Sequence, residues 1–189
     1  MKRFILLLSL ISICACKDST QEYAFLKHKI EVGLDKEQEI REAFIKGVKI
    51  GKIDALLNQQ MGEIDSVNQI YAFRFLDTYG YPKKSKDGEK VSNGIFYILQ
   101  HSNQEHMKTH IDALEKTAYE GEASLTHFAL MKDRILMNDG EKQIYGSQLS
   151  PRKDENGFNT ANYFVWPIEN NSTVDSLRKL MGFKTSVAA

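Results

Sequence analysis

Asp133 is the residue whose chemistry stands out first, because it lies on an apolar face of a predicted helix. Its neighbours three and four positions away are Ala129, Leu130, Leu136 and Met137. A carboxylate on such a face is costly to bury unless another polar group pairs with it. We therefore expect Asp133 to contact a polar group from another element, with His101 or an arginine such as Arg41 as candidates.

His101 is the candidate general base, since it ends an apolar helix predicted for residues 91–101 and a histidine can titrate near neutral pH. An Asp133–His101 contact would orient the imidazole and raise its basicity, and Arg134 or Gln148 could stabilise developing negative charge. This gives a hydrolase-like enzyme as one hypothesis. His101 as a core-edge histidine bonded to a backbone carbonyl, and Asp133 as a structural polar clamp, stay open beside it.

The segment after Asp139-Gly140 supplies further polar groups. Gln143 and Gln148 offer amide donors and acceptors, and Gly146 permits a close backbone approach beside Tyr145. Such a segment can line a polar pocket or begin a hairpin. The predicted ligand-binding residues are Gln100, Arg134, Gln143, Tyr145 and Gln148, and a small polar ligand or an envelope protein is the partner they fit.

Composition excludes several classes of function. The 189 residues carry 25 basic and 25 acidic side chains, so no charge excess points to nucleic acid as a partner. The only cysteines are Cys14 and Cys16, which removes disulfides, thiolate metal sites and cysteine nucleophiles from the folded domain. His106 and His110 have a metal-site spacing, but no third ligand follows at motif spacing. We predict no metal and no cofactor.

The N-terminus is typical of a targeting segment. Lys2-Arg3 precedes an apolar run over residues 4–13, which rises only about 15 Å as a helix and is too short to span a membrane. Residues 13–16 (Ile-Cys-Ala-Cys) resemble the lipobox of bacterial lipoproteins. That resemblance implies a signal peptide over residues 1–15 and lipidation of Cys16, whereas an ordinary secretory signal cut near Ala15 is the alternative.

The same resemblance predicts a bacterial envelope protein held on a membrane through the lipid on Cys16. Lys17 stands where many retained lipoproteins carry an aspartate, which favours the outer membrane over the inner one in a cell with two membranes.

The predicted fold is mainly α: a tether over residues 16–22, then a single helical domain over residues 23–189 with a C-terminal hairpin at about 143–168 and a short terminal helix. Helices are predicted at residues 23–60, 64–78, 91–101, 103–119, 123–138 and 173–181. Glycines 33, 47, 51 and 62 are expected to interrupt the first region, and Asp65 or Ser66 to cap the second helix. We expect a charged loop over residues 82–90, hairpin strands at 143–149 and 162–168 around Asn156-Gly157, and a capping box of Ser172 and Asp175 before the last helix.

Several of these polar residues together resemble an uncharacterised bacterial family of domains of unknown function. The motifs are Glu37-Gln38-x-x-Arg41, Asp65-x-x-Asn68, Tyr79-Gly-Tyr-Pro82, Gln100-His101, Asp133-Arg134, Gln143-x-Tyr-Gly-Ser-Gln148 and Trp166-Pro-Ile-Glu169. The family pattern has an acid where Asn103 stands and a threonine where Ser147 stands. The resemblance implies that His101, Asp133, Arg134 and Gln148 form a joint site, and it names no activity.

Overall fold

The computed structural model describes residues 3–49, 55–157 and 159–187. Within these residues the elements are α1 (Arg3–Lys49), α2 (Ala55–Tyr79), α3 (Lys84–Asp87), α4 (Glu89–Gln100), α5 (Gln104–Tyr119), α6 (Leu125–Asn138), β1 (Leu149–Lys153), β2 (Asn159–Val165) and α7 (Val174–Leu180). The predicted mainly helical fold with a small hairpin and a short terminal helix is confirmed.

The chain divides into two compact units. Unit 1 comprises Met1–Pro82 and Lys90–Ile98, and unit 2 comprises Lys83–Glu89 and Leu99–Ala189. Both units have their own buried apolar side chains. The core of unit 1 includes Leu26, Ile30, Phe75, Ile95 and Phe96, and that of unit 2 includes Met107, Leu114, Phe128, Met131 and Ile135.

In unit 1, α1 packs against α2 and against the part of α4 that belongs to this unit. Gly94 makes close contact with α1 possible, because a β-carbon there would lie 2.8 Å from Ile30 Cγ2. Lys90 Nζ and Asp35 Oδ2 form an ion pair at 2.7 Å. These two contacts hold α1 and this part of α4 side by side.

The predicted start of α2 is wrong. The helix begins at Ala55 and passes through Gly62, and Asp65 lies inside it with both carboxylate oxygens bonded to Arg41 Nη2 at 2.7 and 2.8 Å. Ser66 donates its hydroxyl to the Gly62 carbonyl at 2.8 Å. One glycine costs a helix about 1 kcal/mol, which helix packing and the Arg41 ion pair offset here.

α1 likewise continues through Gly33 and Gly47, so neither glycine interrupts it. The predicted tether, residues 16–22, is helical and forms part of α1. Residues 1–2, Gly51 and the side chains before residue 19, including that of Cys16, lie outside the described part of the chain. Among the residues that are described, no helix is both long and apolar enough to cross a membrane.

The charged stretch at residues 82–90, predicted as a loop, contains the one-turn helix α3. Its single turn is closed by Asp87, whose Oδ2 accepts from the Lys83 N–H at 2.8 Å. Gly88 then adopts a φ of +94°, which lets α4 begin in a new direction. In the same unit, Glu122 accepts from both the N–H and the hydroxyl of Ser85 at 2.9 Å.

α5 and α6 begin within two residues of the predicted positions, and each begins at a side-chain N-cap. Asn103 Oδ1 accepts from the His106 N–H at 3.0 Å, and Ser124 Oγ accepts from the His127 N–H at 3.3 Å. The capping box predicted for α7 is not formed. Ser172 donates to Asn170 Oδ1 at 2.7 Å, and Asp175 Oδ1 accepts from the Val187 N–H at 2.9 Å.

β1 and β2 are antiparallel and pair Leu149 with Val165 and Pro151 with Tyr163. The predicted hairpin and its turn at Asn156-Gly157 are therefore confirmed. The predicted first strand is wrong, because β1 begins only at Leu149 and residues 143–148 form an irregular segment. The polar groups that hold this segment in place explain the difference.

Candidate functional site

The centre of the candidate site is the Asp133 carboxylate in unit 2, which is 0% exposed. Its oxygens accept hydrogen bonds from the N–H groups of Ile144 (2.8 Å), Tyr145 (3.1 and 3.2 Å) and Ser147 (3.0 Å). The Ser147 hydroxyl adds a fourth donor at 2.8 Å. The charge of Asp133 is thus surrounded by hydrogen-bond donors inside the protein, which is the condition for burying a carboxylate.

The prediction that Asp133 contacts a polar group from another element is confirmed, but the partner differs from both candidates. Asp133 bonds to the 143–148 segment, and its described hydrogen bonds do not include His101. Arg41 belongs to unit 1 and forms ion pairs there with Glu37 and Asp65. His101 is half-buried in the turn after α4.

The Gln143 side chain holds Gln148, the last residue of the same segment. Gln143 is also 0% exposed. Its Oε1 accepts from the Gln148 N–H at 2.8 Å, and its Nε2 donates to the Gln148 carbonyl at 3.1 Å and to the Trp166 carbonyl at 2.7 Å. The carboxamide therefore takes the place of a neighbouring strand for Gln148. Because the N–H groups of residues 144, 145, 147 and 148 all bond to side chains, this segment cannot form the predicted strand.

A chain of hydrogen bonds leads from Asp133 to Gln100. Ser147 Oγ accepts from Gln148 Nε2 at 3.1 Å, and Gln148 Oε1 accepts from Arg134 Nε at 3.2 Å. Arg134 Nη1 then donates to the backbone carbonyl of Gln100 at 2.8 Å. The structure thus brings together Asp133, Arg134 and Gln148, three of the four residues for which the resemblance implied a joint site. The fourth, His101, is not among the partners in these hydrogen bonds, and the backbone carbonyl of Gln100 is the group that Arg134 contacts.

The side chain of Gln100, the residue whose backbone carbonyl ends this chain, has a polar atom without a partner. Gln100 Oε1 is buried and accepts no hydrogen bond from the residues that the structure describes. Buried polar atoms are nearly always hydrogen-bonded, so an exception calls for a specific explanation. This makes Gln100 the position in the cluster where a further donor would fit.

Tyr145 enters the cluster through its backbone N–H and carbonyl. Its ring is buried and contacts Phe128 at a centroid distance of 6.5 Å. Burial, together with nearby Tyr119, Asp133 and Glu115, raises the pKa of the Tyr145 phenol above its ordinary value. The phenol is therefore a neutral group at physiological pH.

Sequence reasoning missed Arg178, which closes the segment from the side opposite Asp133. Arg178 is 7% exposed, and its Nη1 donates to the carbonyls of Tyr145 (2.8 Å) and Gly146 (3.2 Å). The guanidinium also lies 4.3 Å from the centre of the Phe183 ring. Its position between Val174 and Met181 on one face of α7 is the same signal that singled out Asp133: a charge on an apolar helix face.

Gly146 allows this closure because it has a φ of +63° and no side chain. A β-carbon on Gly146 would lie 2.7 Å from Val187 Cγ2 and 3.1 Å from Ile168 Cδ1. The predicted close approach at Gly146 is confirmed, with Val187 and Ile168 as the nearest contacting residues.

In the described part of the chain, no group of three or more His, Cys, Asp or Glu side chains is arranged to hold a metal ion. His106 and His110 both lie in α5.

Comparison with known proteins identifies a family and no characterised relative. Neither a curated protein nor a solved structure matches the chain. The model of DUF6624, a family of unknown function, matches residues 25–186, which overlap both units and include every residue of the Asp133 cluster. The chain therefore belongs to the family of unknown function DUF6624.

Proposed function

We propose that this chain is a lipid-anchored protein of the bacterial cell envelope that binds a small polar ligand beside Gln100. The observation that carries the proposal is the buried Gln100 Oε1 atom, which has no hydrogen-bond partner in the part of the chain that the structure describes. An unsatisfied buried acceptor costs about 1–3 kcal/mol. A ligand N–H or O–H at this place, or such a group on an envelope protein, would remove that cost.

The surroundings of Gln100 suit a binding site because they are held in one geometry. Arg134 Nη1 donates to the backbone carbonyl of Gln100 at 2.8 Å, and Arg134 Nε donates to Gln148 Oε1. Gln148 in turn donates to the Leu130 carbonyl at 3.2 Å. A site that is rigid before the ligand arrives loses less entropy on binding.

The geometry favours binding over the hydrolase-like alternative. In that alternative Asp133 orients His101, but the Asp133 oxygens are engaged by residues 144–147 and the carboxylate is 0% exposed. The structural alternative is supported for Asp133, Gln143 and Gln148, which are all buried. Gln143 Oε1 accepts from the Gln148 N–H, and the Ser147 hydroxyl links the Asp133 carboxylate to the Gln148 side chain. In our proposal these three residues are the scaffold and Gln100 is the contact to the ligand.

A thermal-shift screen tests the binding site. The panel consists of small polar compounds with N–H or O–H donors, such as amino acids, sugars and short peptides. A binder raises the melting temperature of the wild type, and Gln100→Leu should abolish the shift because it removes the acceptor. Gln104→Leu is the matched control, since Gln104 donates to exposed Asp139 at 2.6 Å and should leave the shift intact.

The same variants show whether Gln100 is instead a structural residue. Replacing an unsatisfied buried acceptor by an apolar group is close to neutral or stabilising, so Gln100→Leu should not lower the melting temperature without ligand. A panel in which no compound acts, or in which a compound stabilises Gln100→Leu as much as the wild type, would contradict the proposal.

The lipid anchor has its own test. Cells that express the full chain are fed an alkyne-labelled fatty acid, and the label on the protein is measured. We expect label on the wild type and on Cys14→Ala, and none on Cys16→Ala. Label that persists on Cys16→Ala would contradict a lipid anchor at Cys16. Membrane fractionation of the labelled protein then tests the outer-membrane location.

A further inference from the structure

A second candidate site lies wholly within unit 1, in a groove between α1 and α2. The groove contains a cavity of about 470 Å³, which is within the range of about 300–1,000 Å³ found for small-molecule sites. Val32 and Ile40 of α1 and Ile64, Val67 and Tyr71 of α2 provide its apolar walls.

The groove follows several turns of α1. Its lining on α1 extends from Lys29 to Ile40, a distance of about 17 Å at about 1.5 Å per helical residue. Lys29, Gly33, Lys36 and Ile40 follow one another at spacings of three or four, so they share one helix face. A ligand that follows this face along its length is elongated, and the apolar walls favour an apolar chain.

Asn68 contributes a buried polar group to the lining of the groove. The side chain is 6% exposed, and its Nδ2 donates to the Gly33 carbonyl at 3.2 Å. Gly33 makes this approach possible, since a β-carbon there would lie 2.3 Å from Asn68 Oδ1. Among the described residues this is the hydrogen bond that Asn68 forms, which leaves its second N–H for a ligand acceptor.

The charges that line the groove favour an anion. Its lining includes two lysines, Lys29 and Lys36, and one carboxylate, that of Glu63. Glu63 Oε1 accepts from Gln59 Nε2 at 2.9 Å, and Lys29 Nζ lies 5.4 Å from the centre of the Tyr71 ring. Exposed Lys36 forms no ion pair with any residue that the structure describes.

We propose that this groove binds a medium-chain fatty acid, with the aliphatic chain along Val32, Ile64 and Val67 and the carboxylate at Lys36 and Asn68. Aliphatic walls supply the hydrophobic contact, at about 0.8 kcal/mol for each buried methylene. The ammonium and amide groups select the carboxylate. This site is separate from Gln100, so it does not depend on the function proposed above.

Photolabelling of the purified full chain tests the proposal. The probe is a decanoate analogue with a diazirine on its chain, and the labelled peptides are identified by mass spectrometry. We expect label on the groove-lining parts of α1 and α2, and competition by unlabelled decanoate below its micelle-forming concentration. Decanol, which has the same chain and no charge, should require about tenfold more to compete, or about 1.4 kcal/mol.

Two variants separate the head group from the chain. Lys36→Glu should raise the competing decanoate concentration about tenfold and leave that of decanol unchanged. Val67→Glu, at a position 51% exposed in the free protein, should weaken both competitors. Lys153→Glu and Ile70→Glu are the matched controls, because both side chains are exposed and neither lines the groove. Both controls should behave as the wild type.

Several results would overturn the proposal. Label outside the groove only, label that decanoate does not displace, or equal competition in the wild type, Lys36→Glu and Val67→Glu each contradict a fatty-acid site. Crosslinks between two copies of the chain at Val67, without decanoate labelling, would assign the groove to a dimer contact. Circular dichroism of each variant confirms that the helices are intact.

Discussion

Asp133 and Arg178 hold opposite ends of one peptide group, the bond between Gly146 and Ser147. The Ser147 N–H donates to Asp133 Oδ2 at 3.0 Å, and the Gly146 carbonyl accepts from Arg178 Nη1 at 3.2 Å. The peptide dipole is thus aligned between a buried anion and a buried cation. The two charges stabilise each other through this peptide group, which lowers the cost of burying them.

Asp133→Asn should strongly destabilise unit 2. The amide removes the charge and places N–H groups against the N–H donors of residues 144–147, so buried donors lose their acceptors. Breaking one side of a buried charged network costs about 3–5 kcal/mol, and we expect a loss of at least about 3 kcal/mol. Urea unfolding followed by fluorescence of Trp166, the only tryptophan, measures it, since Gln143 bonds to the Trp166 carbonyl.

Asp112→Asn is the control for this substitution. Asp112 lies on the exposed face of α5, where a change of this kind is typically within about 0.5 kcal/mol. Equal urea midpoints for the two variants would mean that Asp133 does not hold the 143–148 segment.

Because Asp133 and Arg178 bond to the same peptide group, we expect their contributions to the free energy of unfolding to be coupled. Once Arg178→Met has released the carbonyl side, Asp133→Asn should cost less than it does in the wild type, with a coupling energy of about 1–2 kcal/mol. Residues that share a network show coupling of about 0.5–3 kcal/mol, whereas distant residues are additive within about 0.5 kcal/mol. A double-mutant cycle in urea measures the difference.

Lys108→Met supplies the comparison pair with Asp133→Asn. Lys108 Nζ bonds to Asp139 at 2.7 Å and has no described hydrogen bond to the 143–148 segment. We expect this second cycle to be additive. Additivity in both cycles would refute the role of the shared peptide group.

The sequence was sufficient to find Asp133 and insufficient to find its partner. A charge on an apolar helix face is visible in the residue pattern, and the same test applies to Arg178. The partners of Asp133 are backbone N–H groups, which every residue except proline possesses, so no residue type marks them. The same reason explains the misplaced strand: residues 143–148 have strand-like composition, but the Gln143 and Asp133 side chains take the hydrogen bonds that a strand would need.

Helix boundaries could likewise be predicted only where the residues that set them are close in sequence. The caps at Asn103 and Ser124 are local, and the sequence located both helices that they begin. The passage of α2 through Gly62 depends on packing against α1 and on the Arg41–Asp65 ion pair across 24 positions, which a local pattern does not contain. Membership of the family was recognisable because its polar motifs are distributed over most of the chain.

Stability should fall as the pH is lowered from about 6.5 to about 4 because of His127. Burial lowers the pKa of His127 from 6.5 to about 4. The unfolded chain therefore binds the proton first, so the contribution of neutral His127 is complete above pH 6.5 and is lost as the pH falls towards 4. The shift corresponds to at most about 3 kcal/mol. Urea midpoints at several pH values measure it.

His127→Gln is the control for this pH dependence, because glutamine does not titrate. Its stability should change less than that of the wild type between pH 6.5 and 4.5. Carboxylates with lowered pKa values, those of Glu42, Glu120, Glu122 and Asp139, lose their contributions only below their ordinary values of 4.5 or 3.8. Equal slopes for the wild type and His127→Gln in that window would contradict the assignment.

Gly146→Ala should destabilise unit 2 more than Gly140→Ala. Both glycines have positive φ, +63° and +78°, so alanine costs about 1–2 kcal/mol at either position. At Gly146 the new methyl group would also lie 2.7 Å from Val187 Cγ2, whereas Gly140 has open space around it. Overpacking adds about 1–3 kcal/mol, and a second substitution, Val187→Ala, should recover part of this difference. Equal urea midpoints for the two glycine variants would show that the chain end does not pack on Gly146 in solution.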